Sequence, residues 1–209
     1  MTNVFARLSA VAAAGLFVLS AGAHAATYNF SAVSANSPVS VQIGEDQISM
    51  SVSDPGAGLV RFTIMNAGPL ASSIANIYWE DSYSLLASID DIIDSPNDVV
   101  FNEGGSPPSM PGSANFDVDY RVSAGPPPAH RGVGPGEELS VDFNLMQGVM
   151  FADVVAMLDG GGMRVGMHVI AFANGESEWF VNVIPAPPAV GLAGAGLLGL
   201  GAMRRRRGV

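Results

Sequence analysis

From Ala26 to Val183, short alternating or apolar runs are cut by turn residues every eight to twelve positions, a rhythm that admits little besides an all-β fold. Thr27–Val33, Val39–Ile43, Gln47–Ser53, Leu59–Met65, Ile74–Trp79 and Leu85–Ile89 read as strands, punctuated by Ser37-Pro38, Gly44, Asp54-Pro55-Gly56 and Ala67-Gly68-Pro69. In the fourth of these, Val60, Phe62 and Ile64 alternate toward one face. Val99–Asn102, Asn115–Val122, Glu138–Leu145, Met163–Ala173 and Trp179–Val183 continue the series. The clearest helix is Phe151–Leu158, where Phe151, Val154, Val155 and Leu158 share a face and Gly160-Gly161-Gly162 ends it. The expectation is an antiparallel β-sandwich or jelly-roll-like domain with one short helix. Two breaker-rich loops, 104–112 and 125–138, are either functional loops or proline-stiffened spacers, the second being the preferred expectation.

Charge narrows the choice of partner. All nine cationic residues are arginines, and five of them lie in the terminal segments. Between Ala26 and Ile184, four arginines face 19 carboxylates, a formal charge of −15 for the body against −10 for the whole chain. Such a surface repels phosphate backbones and anionic head groups, so no nucleic-acid partner is expected. The chain has no cysteine, so its core must suffice without disulfides, and thiol catalysis and thiolate metal sites are excluded.

The ends differ from the body. Arg7, the apolar run Leu8–Ala21 and the small-residue pair Ala23 and Ala25 form a signal-peptide pattern over residues 1–25, with cleavage expected between Ala25 and Ala26 by signal peptidase. The apolar run is shorter than the ~20 residues a membrane span needs. The ectodomain is then 26–182, followed by a tail at 183–209. That tail holds Pro185-Ala186-Pro187-Pro188-Ala189, an uncharged stretch Val190–Met203, and Arg204, Arg205, Arg206 and Arg207. A helix over Ala189–Met203 would be about 22 Å long, short of the ~30 Å hydrocarbon core, so it inserts only by thinning the bilayer or by arginine snorkelling. The arginines would hold that end in the cytoplasm. Gly191, Ala195 and Gly199 fall on one face and would let another helix approach closely.

The order of proline motif, Gly/Leu-rich helix and terminal arginine cluster resembles the PEP-CTERM sorting signal and its VPLPA-type variant. Here Ala186 stands between the first two prolines, and Pro188 is an additional proline. The resemblance implies processing by exosortase, a membrane-embedded transpeptidase-like enzyme of Gram-negative bacteria. It also implies transient inner-membrane anchoring, then a place at the cell surface or in the extracellular matrix, with exopolysaccharide as a candidate partner. Gly136–Leu139, Phe151–Val154, Arg164–Val169 and Ser177–Asn182 are similar to the C-terminal half of ectodomains in the same family, a likeness that carries no catalytic role.

Chemistry in the body is sparse. The mature chain has His130 in a proline loop and His168 in an expected strand, and no G-x-S-x-G elbow. Two histidines without cysteine do not make a zinc site. No phosphate-binding glycine motif occurs. Carboxylates remain. Asp117 and Asp119 sit two apart on an expected strand and so share a face. Asp90, Asp91, Asp94 and Asp98 cluster around Ser95-Pro96, with Glu80-Asp81 upstream. Oxygen ligands of this type suit calcium, although none follows the D-x-D-x-D-G pattern, and acidic clusters also serve simply as solvated surface. No other cofactor is expected. The preferred expectation is a non-enzymatic structural or adhesive ectodomain. A carbohydrate- or calcium-binding module of the same fold comes next, and a two-carboxylate glycan hydrolase third.

Overall fold

Val60, Phe62 and Ile64 do lie on one side of a strand, and all three are fully buried. A computed structural model describes residues 25–95 and 98–184. The signal-peptide expectation over 1–24, including Ala23, and the sorting motif from Pro185 to Arg207 lie outside the described residues. The chain forms β1 (Ala26–Ala32), α1 (Pro38–Gln47), β2 (Ile48–Ser53), β3 (Leu59–Asn66), β4 (Ser73–Asp81) and β5 (Leu86–Asp94). It continues through β6 (Phe101–Glu103), β7 (Tyr120–Ala124), α2 (Pro128–Arg131), β8 (Glu137–Leu145), α3 (Phe151–Gly160), β9 (Met163–Ile170) and β10 (Glu178–Asn182). The domain is mostly antiparallel β with few helices.

The strands form one ten-stranded sheet in the order β5-β8-β3-β2-β1-β10-β9-β4-β7-β6. β1 serves both halves of it. Ala26–Asn29 pair with β2, and Phe30–Ala32 pair with β10. The sheet curls until its two edges nearly meet. Phe101 N–H donates to Asp94 Oδ1 at 3.1 Å, and the Tyr120 hydroxyl donates to the Leu86 carbonyl at 2.9 Å, so side chains tie a seam that no ladder closes. Both edges are thereby blunted, which is what an exposed row of unpaired backbone groups requires.

The interior is aromatic at its centre. Phe143 meets Phe62, Trp79 and Tyr120 edge-on, at centroid distances of 5.6, 5.0 and 5.3 Å. The outer face of β4 is buried as well, because the first breaker-rich loop folds across it. Met110 and Ala114 pack on Tyr78 and Val181 there. Gly166 makes this approach possible, since a Cβ on it would lie 2.1 Å from Met110 Sδ. The second breaker-rich loop contains α2 and is tied down too. Asn66 Nδ2 donates to the Val133 carbonyl, and Gly136 N–H donates to the Asn66 carbonyl at 2.7 Å.

Two sequence expectations need correction. Val39–Ile43 is not a strand but the first half of α1. Its β-branched residues suggest extension, yet Ser37 caps the helix by accepting the Ser40 amide, and Pro38 occupies the first turn, where its missing N–H costs nothing. The face that α1 buries is Ser40, Gly44 and Gln47, a helical spacing without an apolar signal. Gly44 is required because a Cβ would sit 2.1 Å from the Phe180 ring. Asn115–Val122 is a strand only from Tyr120 onward, because a 3-10 turn at Gly112–Ala114 and a left-handed Asn115 (φ 43°) delay entry to the ladder. The expected ends of three further strands move: β5 runs on to Asp94, β6 starts at Phe101, and β9 stops at Ile170 before Ala171 turns to φ 59°.

Candidate functional site

The acidic residues singled out in sequence do not gather at one point. Asp90, Asp91 and Asp94 are exposed along the edge strand β5, and bulges between Leu86 and Ser88 and between Ile89 and Asp91 splay their directions. Asp90 accepts from Asn144 Nδ2 at 2.9 Å, Asp91 from the next backbone amide, and Asp94 from Phe101 N–H across the seam. Asp98 stands in a left-handed turn (φ 66°). Among the described residues no three His, Asp or Glu side chains are placed to hold one metal ion.

Asp117 and Asp119 are both exposed but stand ahead of β7 and not on it, while Phe116 and Val118 pack inward. Asp119 is spent on the β4 turn, where its Oδ2 accepts the Asp81 amide at 2.7 Å. Asp81, itself buried, accepts the Leu86 amide through Oδ2, while its Oδ1 meets no protein donor among the described residues. The Tyr120 phenol, partly desolvated and close to Asp81, Asp119 and Glu103, is held above its ordinary pKa. Glu103, Asp119, Tyr120 and Arg121 line a cleft of about 220 Å³. Sequence reasoning missed Glu103, Tyr120 and Arg121, since two segments distant in sequence, 103–104 and 118–121, bring them together.

The arginines are similarly occupied. Arg61 binds Asp142 in bidentate fashion, both contacts at 2.7 Å, and Arg164 pairs with Glu80 while donating to the Ala114 and Asn115 carbonyls. His130 is exposed on α2. His168 is half-buried and stacks on Trp179 at 4.2 Å with the rings 15° apart, and Trp179 in turn leans on Tyr78 at 5.9 Å. Burial pushes His168 below its ordinary value near 6.5. The native state therefore binds this proton less readily than the unfolded chain, so His168 costs stability as pH falls below about 6.5. Relative to wild type, His168→Gln should lose less melting temperature between about pH 7.5 and 5. Parallel losses in the two proteins would show that the imidazole charges without penalty.

The most organised surface lies at one end of the barrel. β1 starts there at Ala26, and the antiparallel β10 returns there, where Val183 N–H donates to the Asn29 carbonyl at 2.8 Å. The strand registers put the 54–58, 82–85 and 146–150 turns at this end too, with α3 beside them. Contacts make the surface continuous. At the left-handed cap of α3, a Cβ on Gly161 would meet Ile184 Cδ1 at 2.6 Å, and one on Gly162 would meet Tyr83 Cε2 at 2.7 Å. Met146 N–H donates to the Leu85 carbonyl. Ala25, Ala26, Phe151, Ala152 and Val155 line an apolar groove of about 390 Å³. The expected cleavage bond between Ala25 and Ala26 thus lies at the first residue of β1, with Ala25 exposed. At the opposite end stand α1, α2 and the 171–177 turn, with Glu45, Asp46, Asp98 and Glu176 exposed. A groove of about 430 Å³ there, between α1 and Gly68–Leu70, holds one carboxylate, Asp46.

Among the described residues no helix is long and apolar enough to cross a membrane. Comparison with protein-family models, curated proteins and solved structures finds no match to this chain.

Proposed function

We propose that this is an exported domain displayed at the surface of a Gram-negative bacterium, processed by signal peptidase at its start and by exosortase at its tail. Its ectodomain serves a structural or adhesive role in the extracellular matrix, with exopolysaccharide as the candidate partner. The observation that carries this reading is the convergence of Ala26 and Ile184 at one pole. A domain held by either end then presents the same acidic opposite pole outward. The split pairing of β1 further supports viewing the sheet as a sandwich closed on itself, each half packing on the shared aromatic core.

A non-enzymatic role fits the way the described charged groups are used, as most are committed to ladders, caps and turns. The binding-module alternative has one specific support, the polar cleft of Glu103, Asp119, Tyr120 and Arg121. Glycan hydrolysis would need two carboxylates of that kind set across a sugar, which makes the same cleft the place to look.

The tail is the part to test. Replacing Arg204–Arg207 with Ser removes the charges that keep the terminus from crossing. Surface display, read by protease accessibility on intact cells, should fall to near background while the protein accumulates in the membrane fraction. Display at the wild-type level would mean that the tail is a passive hydrophobic plug and that the sorting reading is wrong.

A further inference from the structure

The pole where both ends emerge is apolar as well as convergent. Tyr83 and Met150 are each 65% exposed there, and Met146, Val183 and Ile184 are exposed beside them. α3 turns Ala152 and Ala156 outward with half-buried Val155 between them, and Asp159 is the one exposed carboxylate on that face. Patches of this continuity are uncommon on a surface that water alone must cover. The exposed carboxylates nearest to it are engaged locally. Asp54 Oδ1 accepts the Gly56 amide, and Asp159 Oδ1 accepts the Tyr28 hydroxyl.

Chain length says what lies opposite. Five residues, Pro185–Ala189, separate Ile184 from the uncharged stretch Val190–Met203. Even fully extended they reach about 18 Å, at up to ~3.6 Å per residue. If that stretch sits in the bilayer, this pole cannot leave the membrane's immediate neighbourhood.

We infer that, in the tail-bearing chain, the pole formed by Tyr83, Met146, Met150, Ile184 and the outer face of α3 rests on the lipid bilayer, seated in its neutral head-group layer. This rests on the anchoring reading given above and adds to it a defined orientation. Tyr83 suits that layer because its ring is apolar and its hydroxyl wet. The aliphatic side chains and α3 lie on it as an interfacial helix does. The lipid must be zwitterionic, since a body of charge −15 is pushed from anionic head groups and the chain has no lysine to offset this.

The absence of cysteine makes the test direct. Single-cysteine variants of the tail-bearing chain, Tyr83→Cys, Met150→Cys and, at the far pole, Val39→Cys, carry an environment-sensitive fluorophore and are reconstituted into phosphatidylcholine vesicles. Flotation reports anchoring, and a lipid-borne quencher reports contact. Labels at 83 and 150 should be quenched several-fold more than the label at 39, which is equally exposed in the folded domain. Vesicles doped with phosphatidylglycerol should weaken that contrast. Chain that floats with all three labels equally quenched overturns the orientation and leaves the anchoring intact. Chain that does not float overturns both.

Discussion

The Phe143→Ala chain is expected to lose about 3–5 kcal/mol of folding stability, a large share of the ~5–15 kcal/mol that holds a typical domain. Phe143 is fully buried and makes edge contacts with Phe62, Trp79 and Tyr120, so truncation removes apolar burial and three aromatic pairs together. The cavity cannot collapse easily, because Phe62, Trp79 and Phe143 stand on three ladder-bound strands. Tyr120 would also lose the ring that braces it while its hydroxyl reaches Leu86 across the seam. Urea unfolding should show a lower midpoint with an unchanged slope, since the native surface is little altered. A loss of less than about 1 kcal/mol in unfolding free energy would mean that these rings are not the centre of the core.

Glu178→Ala should cost about 3 kcal/mol, chiefly through unsatisfied polar groups, because hydrogen bonds to charged acceptors contribute roughly 1.5–3 kcal/mol. Glu178 is fully buried and has no arginine against it among the described contacts. It accepts the Ser37 amide at 2.6 Å through Oε1 and the Ser34 hydroxyl at 2.5 Å through Oε2. Ser34 Oγ in turn accepts the Trp179 amide at 2.8 Å. The carboxylate thus fixes the turn into α1 and lies near the positive end of that helix. Its removal orphans the Ser37 amide and frees the helix's entry. Hydrogen exchange should quicken across α1 well before it does in β3 or β8, and Glu178→Gln, which keeps an acceptor for Ser37, should lose less. Uniform acceleration across the domain would show that Glu178 acts on global stability and not on that turn.

Much of the sheet was legible because alternation is a local property. β2, β3 and β8 carry their inward apolar residues at every second position, whereas β4 is buried on both faces and interrupted by a bulge. α1 was illegible for the same reason. Its buried face is made of Ser40, Gly44 and Gln47, so no hydrophobic period marks it, and the signal that decides the matter is the Ser37-Pro38 cap. The near closure of the sheet rests on two side-chain bonds between distant segments, and no pattern along the chain reports them. The acidic residues teach a similar lesson. Asp90, Asp91, Asp94 and Asp98 are neighbours in sequence and diverge in space, whereas Asp81, Glu103 and Asp119 are far apart in sequence and surround one phenol. Sequence proximity says where charge is plentiful, and strand order says where it meets.

The split pairing of β1 also bears on timing. Phe30 finds its partner Asn182 only about 150 residues later, whereas Ala26–Asn29 are served at once by the neighbouring β2. A chain delivered from its N-terminus can assemble β2, β3, β8 and β5 around the first half of β1, but the second half waits with its hydrogen-bonding edge open. Contacts of such long sequence separation are slow to form. Until β10 has emerged the two halves of the sheet cannot join, so the fold completes only with its last strand. The strand that completes the fold is also the last one among the described residues, so joining the two halves of the sheet is the final step of its assembly.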